Sequence, residues 1–379
     1  MEKYGCELFS FIDLNPKKNN DFNIEKDPIF EHFFLHLKAY LNEESNKTDK
    51  STQMKLVSEF IEKKQFDVKI LKSIVIAGIP NNLFCLRPLI WKALIGYLPI
   101  DDLSKWKDVT KLKFNQYLAI RKKYKDYPNN ITNESDLAIL KQIDKDLPRT
   151  RVDTPLFKDK SQFLTNEINY DVLRRILYYY AKENEEVKYI QGMNEIIAII
   201  FYIFSSDENP FIKPFIESDS YFTFSLLLKE IKHIFIMDNI SFSQLLVKKL
   251  VDETKEILLY LEPALMKFFD AKGVDIQTFL IRWILVLFAQ EFNMGTSVVF
   301  WDRIFTSKSK LKFMCYVCSA VLRLNKKKIL KMEMEGIITW SQNFGTTCKN
   351  HSIDEIIGEA YKIKAEYKKK EAKSKMCGI

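Results

Sequence analysis

Very few residues in this chain would interrupt a helix, and this scarcity constrains the fold more than any other feature. The 379 residues include only 10 glycines and 11 prolines. A chain folded into many short strands needs these residues at frequent turns, so their scarcity favours helices. Apolar residues also recur at the spacing of one helical face, as in Val172, Leu173, Ile176, Leu177 and Tyr180. The sequence therefore predicts an all-α protein.

Individual helices follow from the same spacing. One helix is predicted to be capped by Ser135 and ended by Pro148. Its apolar face would consist of Leu137, Leu140, Ile143 and Leu147. Another helix is predicted to begin near Gln191. Further helices are predicted over about residues 219–237, 241–270, 274–290, 296–306 and 311–324. No strict internal repeat of about 33–45 residues is visible, which argues against a solenoid.

The chain divides into three predicted parts. Residues 1–69 form a helical N-terminal extension with a polar, flexible loop at 42–53. Residues 70–345 form the main helical domain, and residues 346–379 form a C-terminal helix and a basic tail. The end of the tail is lysine-rich and is predicted to fray. Two interpretations of it stay open: a solvated end, or a segment attracted peripherally to an anionic membrane surface.

Charge and hydropathy argue against several classes of function. The formal net charge is +8 for 44.8 kDa, which is only mildly basic, so nucleic-acid binding is not predicted. No apolar run reaches the roughly 18 residues needed to cross a bilayer. The first residues contain no secretory signal, and the six cysteines are scattered. We therefore expect a cytoplasmic protein with reduced thiols.

The usual signatures of enzymes are mostly missing. The sequence has neither a GxxxxGK[ST] phosphate loop nor a GxGxxG motif after a strand. Cys315 and Cys318 form a lone CxxC in an apolar segment, which favours packing over metal or redox chemistry. His32 and His36 are spaced i, i+4, but no acidic third ligand lies nearby. No metal site is predicted, although an enzyme built on these four residues is one alternative.

Arginine is rare in this chain, and its positions are therefore informative. Only nine of the 58 basic residues are arginine. If lysine replaces arginine wherever either residue serves, the remaining arginines mark sites that need a planar guanidinium. Four of the nine lie close together: Arg149, Arg151, Arg174 and Arg175.

Four blocks combine glycine, aromatic, polar and charged residues at fixed spacing. In chain order they are Gly78, Pro80, Arg87 and Trp91; Ile143, Asp146, Arg149 and Thr150; Tyr189, Gln191, Gly192 and Asn194; and Arg282, Trp283, Trp301 and Asp302. In this order and at these separations they resemble the TBC domain of Rab GTPase-activating proteins, including its IxxDxxRT and YxQG patterns. The resemblance covers about residues 70–345. It is greatest to the branch represented by TBC-domain member thirteen.

This resemblance implies a function in trans. The chain would bind a GTP-bound Rab-family GTPase and contribute Arg149 as an arginine finger and Gln191 as a glutamine finger. A guanidinium stabilises charge that develops on the transferred phosphoryl group, and an amide orients the attacking water. GTP and Mg²⁺ would arrive with the partner, so the chain would need no cofactor of its own. It would be an activator acting in vesicle trafficking and not an enzyme with its own substrate.

The resemblance also assigns roles around the fingers. Supporting or GTPase-binding residues would be Asp146, Thr150, Tyr189, Gly192 and Asn194. Pro148 should leave Arg149 on a loop, and Gly192 should let a partner's backbone come close. The remaining block residues are expected to be internal anchors: Gly78, Pro80, Arg87, Trp91, Arg282, Trp283, Trp301 and Asp302.

Blander interpretations stay open beside this one. Arg149 and Asp146 could form a purely local ion pair. Arg174 and Arg175 could be paired internally or could contact the GTPase. The whole chain could be a non-catalytic adaptor with a TBC fold, although such a protein would usually have lost one finger. Peripheral recruitment to endomembranes is a further expectation.

Overall fold

The computed structural model describes residues 68–79, 86–100, 102–157, 169–206, 212–231, 240–347 and 351–376. Within these ranges the chain is helical and contains no β-strand, which confirms the all-α prediction. The helices are α1 (Val68–Ala77), α2 (Arg87–Leu94), α3 (Trp106–Lys123), α4 (Glu134–Asp146), α5 (Asn169–Glu183), α6 (Met193–Ser205), α7 (Ile216–Ile231), α8 (Ile240–Leu261), α9 (Pro263–Ala271), α10 (Gln277–Leu285), α11 (Met294–Thr306), α12 (Lys310–Leu324), α13 (Lys326–Ile329), α14 (Met334–Gln342), α15 (Phe344–Thr347) and α16 (Ile353–Met376).

Two predicted helices are shorter than expected. The helix predicted over 241–270 is split into α8 and α9, because Pro263 cannot continue the first and starts the second. The helix predicted over 274–290 is α10, which ends at Leu285. Leu287 and Phe288 follow with φ of +50° and +57°, outside the helical region. This turn becomes part of the functional site.

The start of α4 differs from the prediction, whereas its end agrees. Asn133 and not Ser135 is the cap, since its side chain accepts the backbone N–H groups of Ser135 and Asp136. The helix ends at Asp146, where Pro148 joins a single 3₁₀ turn. The predicted apolar face is buried except for its first residue, as Leu137 is exposed and Leu140, Ile143 and Leu147 are buried.

The predicted anchor residues join α2 to α11 in the interior. Asp302 is fully buried and lies with Oδ2 3.0 Å from Arg87 Nε. Arg87 Nη2 also donates to the Ile79 carbonyl at 3.2 Å, and Trp91 Nε1 donates to Asp302 Oδ1 at 2.8 Å. The Trp301 ring lies 6.1 Å from that of Trp91. The side chains of Arg87, Trp91, Trp301 and Asp302 are therefore buried together where α2 meets α11.

Gly78 directly follows α1 and lies close to α11. Its φ is +108°, in a region that side chains other than glycine rarely adopt. A Cβ at this position would lie 3.0 Å from Arg303 Nη2. The glycine therefore permits both the turn and the close approach of α11. Its partner in the motif, Pro80, lies outside the described residues.

Replacing Asp302 with alanine is expected to lower the free energy of unfolding by about 3–5 kcal/mol. The change leaves the Arg87 guanidinium and the Trp91 N–H buried without their acceptor. Urea unfolding followed by circular dichroism measures the loss. Asp354→Ala is the matched control: its carboxylate is 77% exposed, and the buried Arg303 keeps a hydrogen bond to the Val299 carbonyl, so the loss should be smaller, about 1 kcal/mol. Similar losses in the two variants would contradict the anchoring role.

The basic C-terminal segment is a packed helix for most of its length. The prediction that residues 361–379 fray is wrong as far as Met376, where α16 ends. Apolar residues at helical spacing, among them Ile356, Ile363 and Tyr367, are buried, and α16 packs mainly against α12. Lysines such as Lys369 stay on the exposed side. Attraction of this side to a membrane stays a prediction, and no described helix is long and apolar enough to span one.

The cysteine pair behaves as the packing interpretation predicts. Cys315 and Cys318 are fully buried in α12, and burial raises the pKa of Cys315 to about 12. Among the residues that the structure describes, no group of three or more His, Cys, Asp and Glu could hold a metal ion. The other half of the metal hypothesis, His32 and His36, lies outside the described residues, as does the predicted loop at 42–53.

Candidate functional site

Two short segments without α-helical structure carry the two predicted finger residues. Arg149 ends the 3₁₀ turn that follows α4, and Gln191 lies in the turn just before α6. The helix predicted to begin near Gln191 begins at Met193, two residues later. Both Arg149 and Gln191 are exposed. The Arg149 guanidinium therefore lies just after α4 and the Gln191 amide just before α6, where neither side chain is covered by its own helix.

Arg149 is held at its base and open at its tip. Its Nε donates to the Lys145 carbonyl at 3.2 Å, and Nη2 lies 3.1 Å from Asp146 Oδ1. The local ion pair that the sequence allowed is therefore present. The Arg149 side chain is nevertheless 63% exposed. The pair orients the guanidinium without burying it, so an ion pair and an outward-facing finger are compatible.

Arg174 and Arg175 are each paired with a carboxylate of the same chain. Arg174 is 22% exposed, and its Nη2 donates to Asp144 at 2.8 Å. Arg175 is 9% exposed and makes two hydrogen bonds, of 2.6 and 2.7 Å, to the carboxylate of Glu217. Internal pairing is thus the role that the structure shows for Arg174 and Arg175. Of the four clustered arginines, Arg149 alone is mostly exposed.

A buried hydrogen-bond network joins the Arg149 segment to the Gln191 segment. The Tyr189 hydroxyl donates to Asp146 Oδ2 at 2.8 Å, on the carboxylate that also orients Arg149. Thr150 Oγ1 donates to the Asp146 carbonyl at 3.0 Å and accepts Asn194 Nδ2 at 2.8 Å. Asn194 Oδ1 in turn accepts the Gly192 N–H at 3.0 Å. The segments that carry the exposed side chains of Arg149 and Gln191 are therefore joined by one buried hydrogen-bond network.

Burial decides what the network residues can do. The side chains of Asp146, Thr150, Tyr189 and Asn194 are all buried, so they hold the two segments in place and present little surface to a partner. Burial and the hydrogen bond to Asp146 raise the pKa of Tyr189 well above its ordinary value. Its hydroxyl therefore stays a proton donor to Asp146 across physiological pH.

Gly192 has a different role from the predicted one. It is buried, with a φ of +104°, and a Cβ there would lie 2.6 Å from Val286 Cγ1 of the same chain. The expectation that a partner's backbone approaches this glycine is therefore replaced by an internal contact. Any larger residue would push the Gln191 turn away from the chain that follows α10.

Residues 286–297, which we call the platform, comprise the chain that follows α10 and the start of α11, and they contact the segments that carry Arg149 and Gln191. The Trp301 indole N–H donates to the Leu287 carbonyl at 3.1 Å, which holds the positive-φ turn. Arg282 Nε lies 2.9 Å from the buried Glu291 carboxylate, and Arg282 Nη2 reaches the Ser341 carbonyl at 2.9 Å. Trp283 is fully buried beside this turn, with its ring 5.2 Å from that of Phe288. Trp283 and Trp301 are buried, whereas Arg282 is 34% exposed and pairs with the buried Glu291.

The family model described as the Rab-GTPase-TBC domain matches residues 84–330, which contain Arg149, Gln191, the network between them and the platform. The chain belongs to this family. The match extends over well more than half of the sequence, and its limits lie inside the predicted domain of residues 70–345.

Individual relatives agree with this assignment to the TBC family. GTPase-activating protein gyp1 of Schizosaccharomyces pombe is 27% identical over 336 residues, covering 83% of this chain and 62% of its own length. TBC1 domain family member 13 of Mus musculus is 25% identical over 351 residues, covering 69% of this chain and 86% of its own. The second match fits the predicted resemblance to member thirteen. The chain thus spans under two thirds of the length of gyp1.

A solved structure shows the same fold. The crystal structure of the Ypt/Rab-GAP domain of Gyp1p superimposes with a TM-score of 0.69 at 24% sequence identity. The match covers 84% of this chain and all of that domain. At this identity the likeness shows the fold alone. It places the present helices within a TBC architecture.

Sequence reasoning missed two residues of this TBC site. Arg151 was noted only as one of four clustered arginines, yet it is buried and bonded to the platform. Glu195 was assigned no role from the sequence. It follows Asn194 on α6 and is buried near Arg151, Asp153 and Asp146. Only the fold brings these charges together, because they come from separate segments.

Glu195 should make the stability of this TBC domain depend on pH. Burial raises the pKa of its carboxyl from 4.5 to about 7, although the charge of Arg151 opposes the shift. The folded chain then binds a proton more tightly than the unfolded chain. This contribution to stability is fully present below about pH 4.5 and is lost as the pH rises through about 7. It amounts to about 3 kcal/mol at most.

Glu195→Gln tests this dependence, because it removes the titration while nearly preserving shape. We expect the difference in free energy of unfolding between pH 5 and pH 8 to shrink by about 1–3 kcal/mol in the variant. Urea unfolding at both pH values measures it. Burial also raises the pKa of Glu291 to about 7, but Glu291 is present in both proteins, so its contribution to the pH dependence cancels in the comparison. Parallel pH profiles would show that Glu195 does not titrate as inferred.

Proposed function

We propose that this chain accelerates GTP hydrolysis by a Rab-family GTPase, into whose active site it inserts Arg149 and Gln191. The observation that carries the proposal is the pairing of two exposed side chains of the required chemistry on one buried network. Arg149 is 63% exposed, although its base is fixed by Lys145 and Asp146. The names of its relatives, which include a GTPase-activating protein, agree with the proposal.

Each finger has a distinct part in the proposed reaction. The Arg149 guanidinium stabilises the negative charge that spreads over the transferred phosphoryl group and the leaving oxygen. The Gln191 amide can accept a hydrogen bond from the attacking water and donate one to the phosphoryl oxygen, which orients the water for in-line attack. GTP and Mg²⁺ are supplied by the partner in this scheme. The chain contributes position and charge.

The network explains why this geometry suits catalysis. Electrostatic stabilisation is most effective when the charged group is already in place and does not have to be reorganised during the reaction. One carboxylate oxygen of Asp146 accepts a hydrogen bond from Arg149, and the other accepts one from the Tyr189 hydroxyl. The Asp146 carboxylate therefore fixes the position of the Arg149 segment relative to the Gln191 segment. Both fingers can therefore meet one nucleotide as a unit. We also propose that the chain is a cytoplasmic activator, that it is recruited to endomembranes, and that it acts in vesicle trafficking.

The direct test is phosphate release from a panel of GTP-loaded Rab GTPases, with wild-type protein beside Arg149→Ala. We expect strong stimulation of one or a few GTPases, and loss of stimulation in the variant. Stimulation of none, together with binding of a GTP-loaded Rab, would instead support the adaptor interpretation. The presence of both finger residues argues against that alternative.

A further inference from the structure

Arg151 is the most heavily bonded side chain next to the proposed finger, and neither the motif nor the proposed reaction uses it. Its Nη1 donates to the carbonyls of Ala289 and Phe292, each at 2.9 Å. Its Nη2 donates to Ser297 Oγ at 2.9 Å. Arg151 is 6% exposed, so these bonds are internal to the protein. All three acceptors belong to the platform.

The backbone at Arg151 is unusual as well. Its φ is +48°, a conformation that side chains other than Asn, Asp and Gly rarely adopt. Burial lowers the pKa of the guanidinium from its ordinary value, and the nearby carboxylates of Glu195 and Asp153 act against this shift. A strained backbone and a buried charge are both unfavourable by themselves. The three hydrogen bonds to the platform offset them and hold the chain in this conformation.

The platform is also the surface against which the second finger segment packs. Val286 fills the space beside Gly192, directly after Gln191. Arg151 bonds to the same stretch from the first finger segment, two residues after Arg149. Two residues of chain span at most about 7 Å, so fixing Arg151 closely limits where the Arg149 backbone can lie. Both fingers thus take their position from one internal surface.

We propose that Arg151 is a positioning residue for the arginine finger: it fastens the Arg149 segment to the platform that also supports the Gln191 turn. This inference rests on the proposed function. Asp146 holds the finger from the side that precedes it in the chain, and Arg151 holds it from the side that follows. A displacement of about 1 Å in a catalytic group can reduce a rate about 100-fold. Loss of the second anchor should therefore impair catalysis although Arg151 touches no partner.

Arg151→Asn is the first test variant, because asparagine tolerates the positive φ but cannot reach the platform acceptors. We expect the rate constant of stimulated hydrolysis, at saturating concentrations of this protein, to fall about 10- to 100-fold. Affinity for the GTPase loaded with a non-hydrolysable GTP analogue should change less than about 3-fold, since Arg151 is buried. Affinity for the GTPase bound to GDP and aluminium fluoride, which mimics the transition state, should fall by about the same factor as the rate.

Arg175→Gln is the matched control. It also removes a buried arginine with a bidentate partner, Glu217, and the hydrogen bonds between these two residues join α5 to α7. The control should lower the melting temperature and leave the rate per folded molecule unchanged. Arg151→Lys keeps the charge without the planar fork and should lie between wild type and Arg151→Asn. It also serves as the test variant if Arg151→Asn does not fold.

The outcomes separate this inference from the proposed function. Wild-type protein that stimulates no GTPase would overturn the proposed function and, with it, this inference. Wild-type stimulation with an undiminished rate in both Arg151→Asn and Arg151→Lys would overturn the positioning role alone. Equal loss of affinity for the ground-state and transition-state complexes would do the same, because it would mean that Arg151 shapes the docking surface and not the finger.

Discussion

Replacing Arg149 with alanine is expected to reduce stimulated GTP hydrolysis by about 10³–10⁵-fold, or roughly 4–7 kcal/mol of transition-state stabilisation. The Arg149 guanidinium is mostly exposed and can approach a bound nucleotide, whereas Asp146, Thr150 and Arg151 beside it are buried. Single-turnover phosphate release at saturating concentrations of the protein measures the effect. The fold should be intact, since Arg149 is 63% exposed and the buried Asp146 keeps its hydrogen bond from the Tyr189 hydroxyl.

Two further variants make the Arg149 result specific. Arg149→Lys keeps a positive charge but lacks the planar fork that binds phosphoryl oxygens in two places, so most of the loss should persist. Arg174→Ala removes a neighbouring arginine that is paired with Asp144, and stimulation should survive it. Stimulation by Arg149→Ala within a few-fold of wild type would refute the finger assignment. An equal loss in Arg174→Ala would point to a general disturbance of the surface.

Replacing Gln191 with alanine is expected to reduce stimulated hydrolysis nearly as much, by at least about 100-fold. The water then loses the amide that would orient it, while Arg149 still stabilises the phosphoryl charge. Because Gln191 is exposed in a turn, the melting temperature should hardly change. The same phosphate-release assay measures the rate, with Glu185→Ala as a control at another exposed position in the connection before α6.

The Gln191 experiment also distinguishes two origins of the water-orienting amide. If Gln191 supplies it, replacing the corresponding glutamine of the GTPase should matter much less than replacing Gln191. An undiminished rate in Gln191→Ala would show that the GTPase uses its own glutamine, and that this chain contributes only Arg149. The network of Tyr189, Asn194 and Gly192 would then serve to support the arginine loop.

The sequence by itself determined the helical class, and its resemblance to the TBC family indicated which residues would be the fingers. The helical signals are local: apolar spacing reports one helical face, and Pro148 ends a helix beside Arg149 whatever the rest of the chain does. Pro263 carried an equally local signal for the break between α8 and α9, which the sequence interpretation missed. The early end of α10 had no such signal, because its positive-φ turn is held by Trp301 from another helix.

Only the tertiary structure decided what surrounds the fingers. Asp146 and Tyr189 are 43 positions apart, and Arg151 and Ala289 are 138 apart. No periodicity within a segment can report such pairings, since they depend on how whole helices pack. Packing likewise explains Gly192, because Val286 leaves no room for a Cβ at that position. It also explains α16: its lysines suggested a frayed end, but its apolar face packs against α12. Residue types indicated which chemistry was available, and packing decided which side chains were free to perform it.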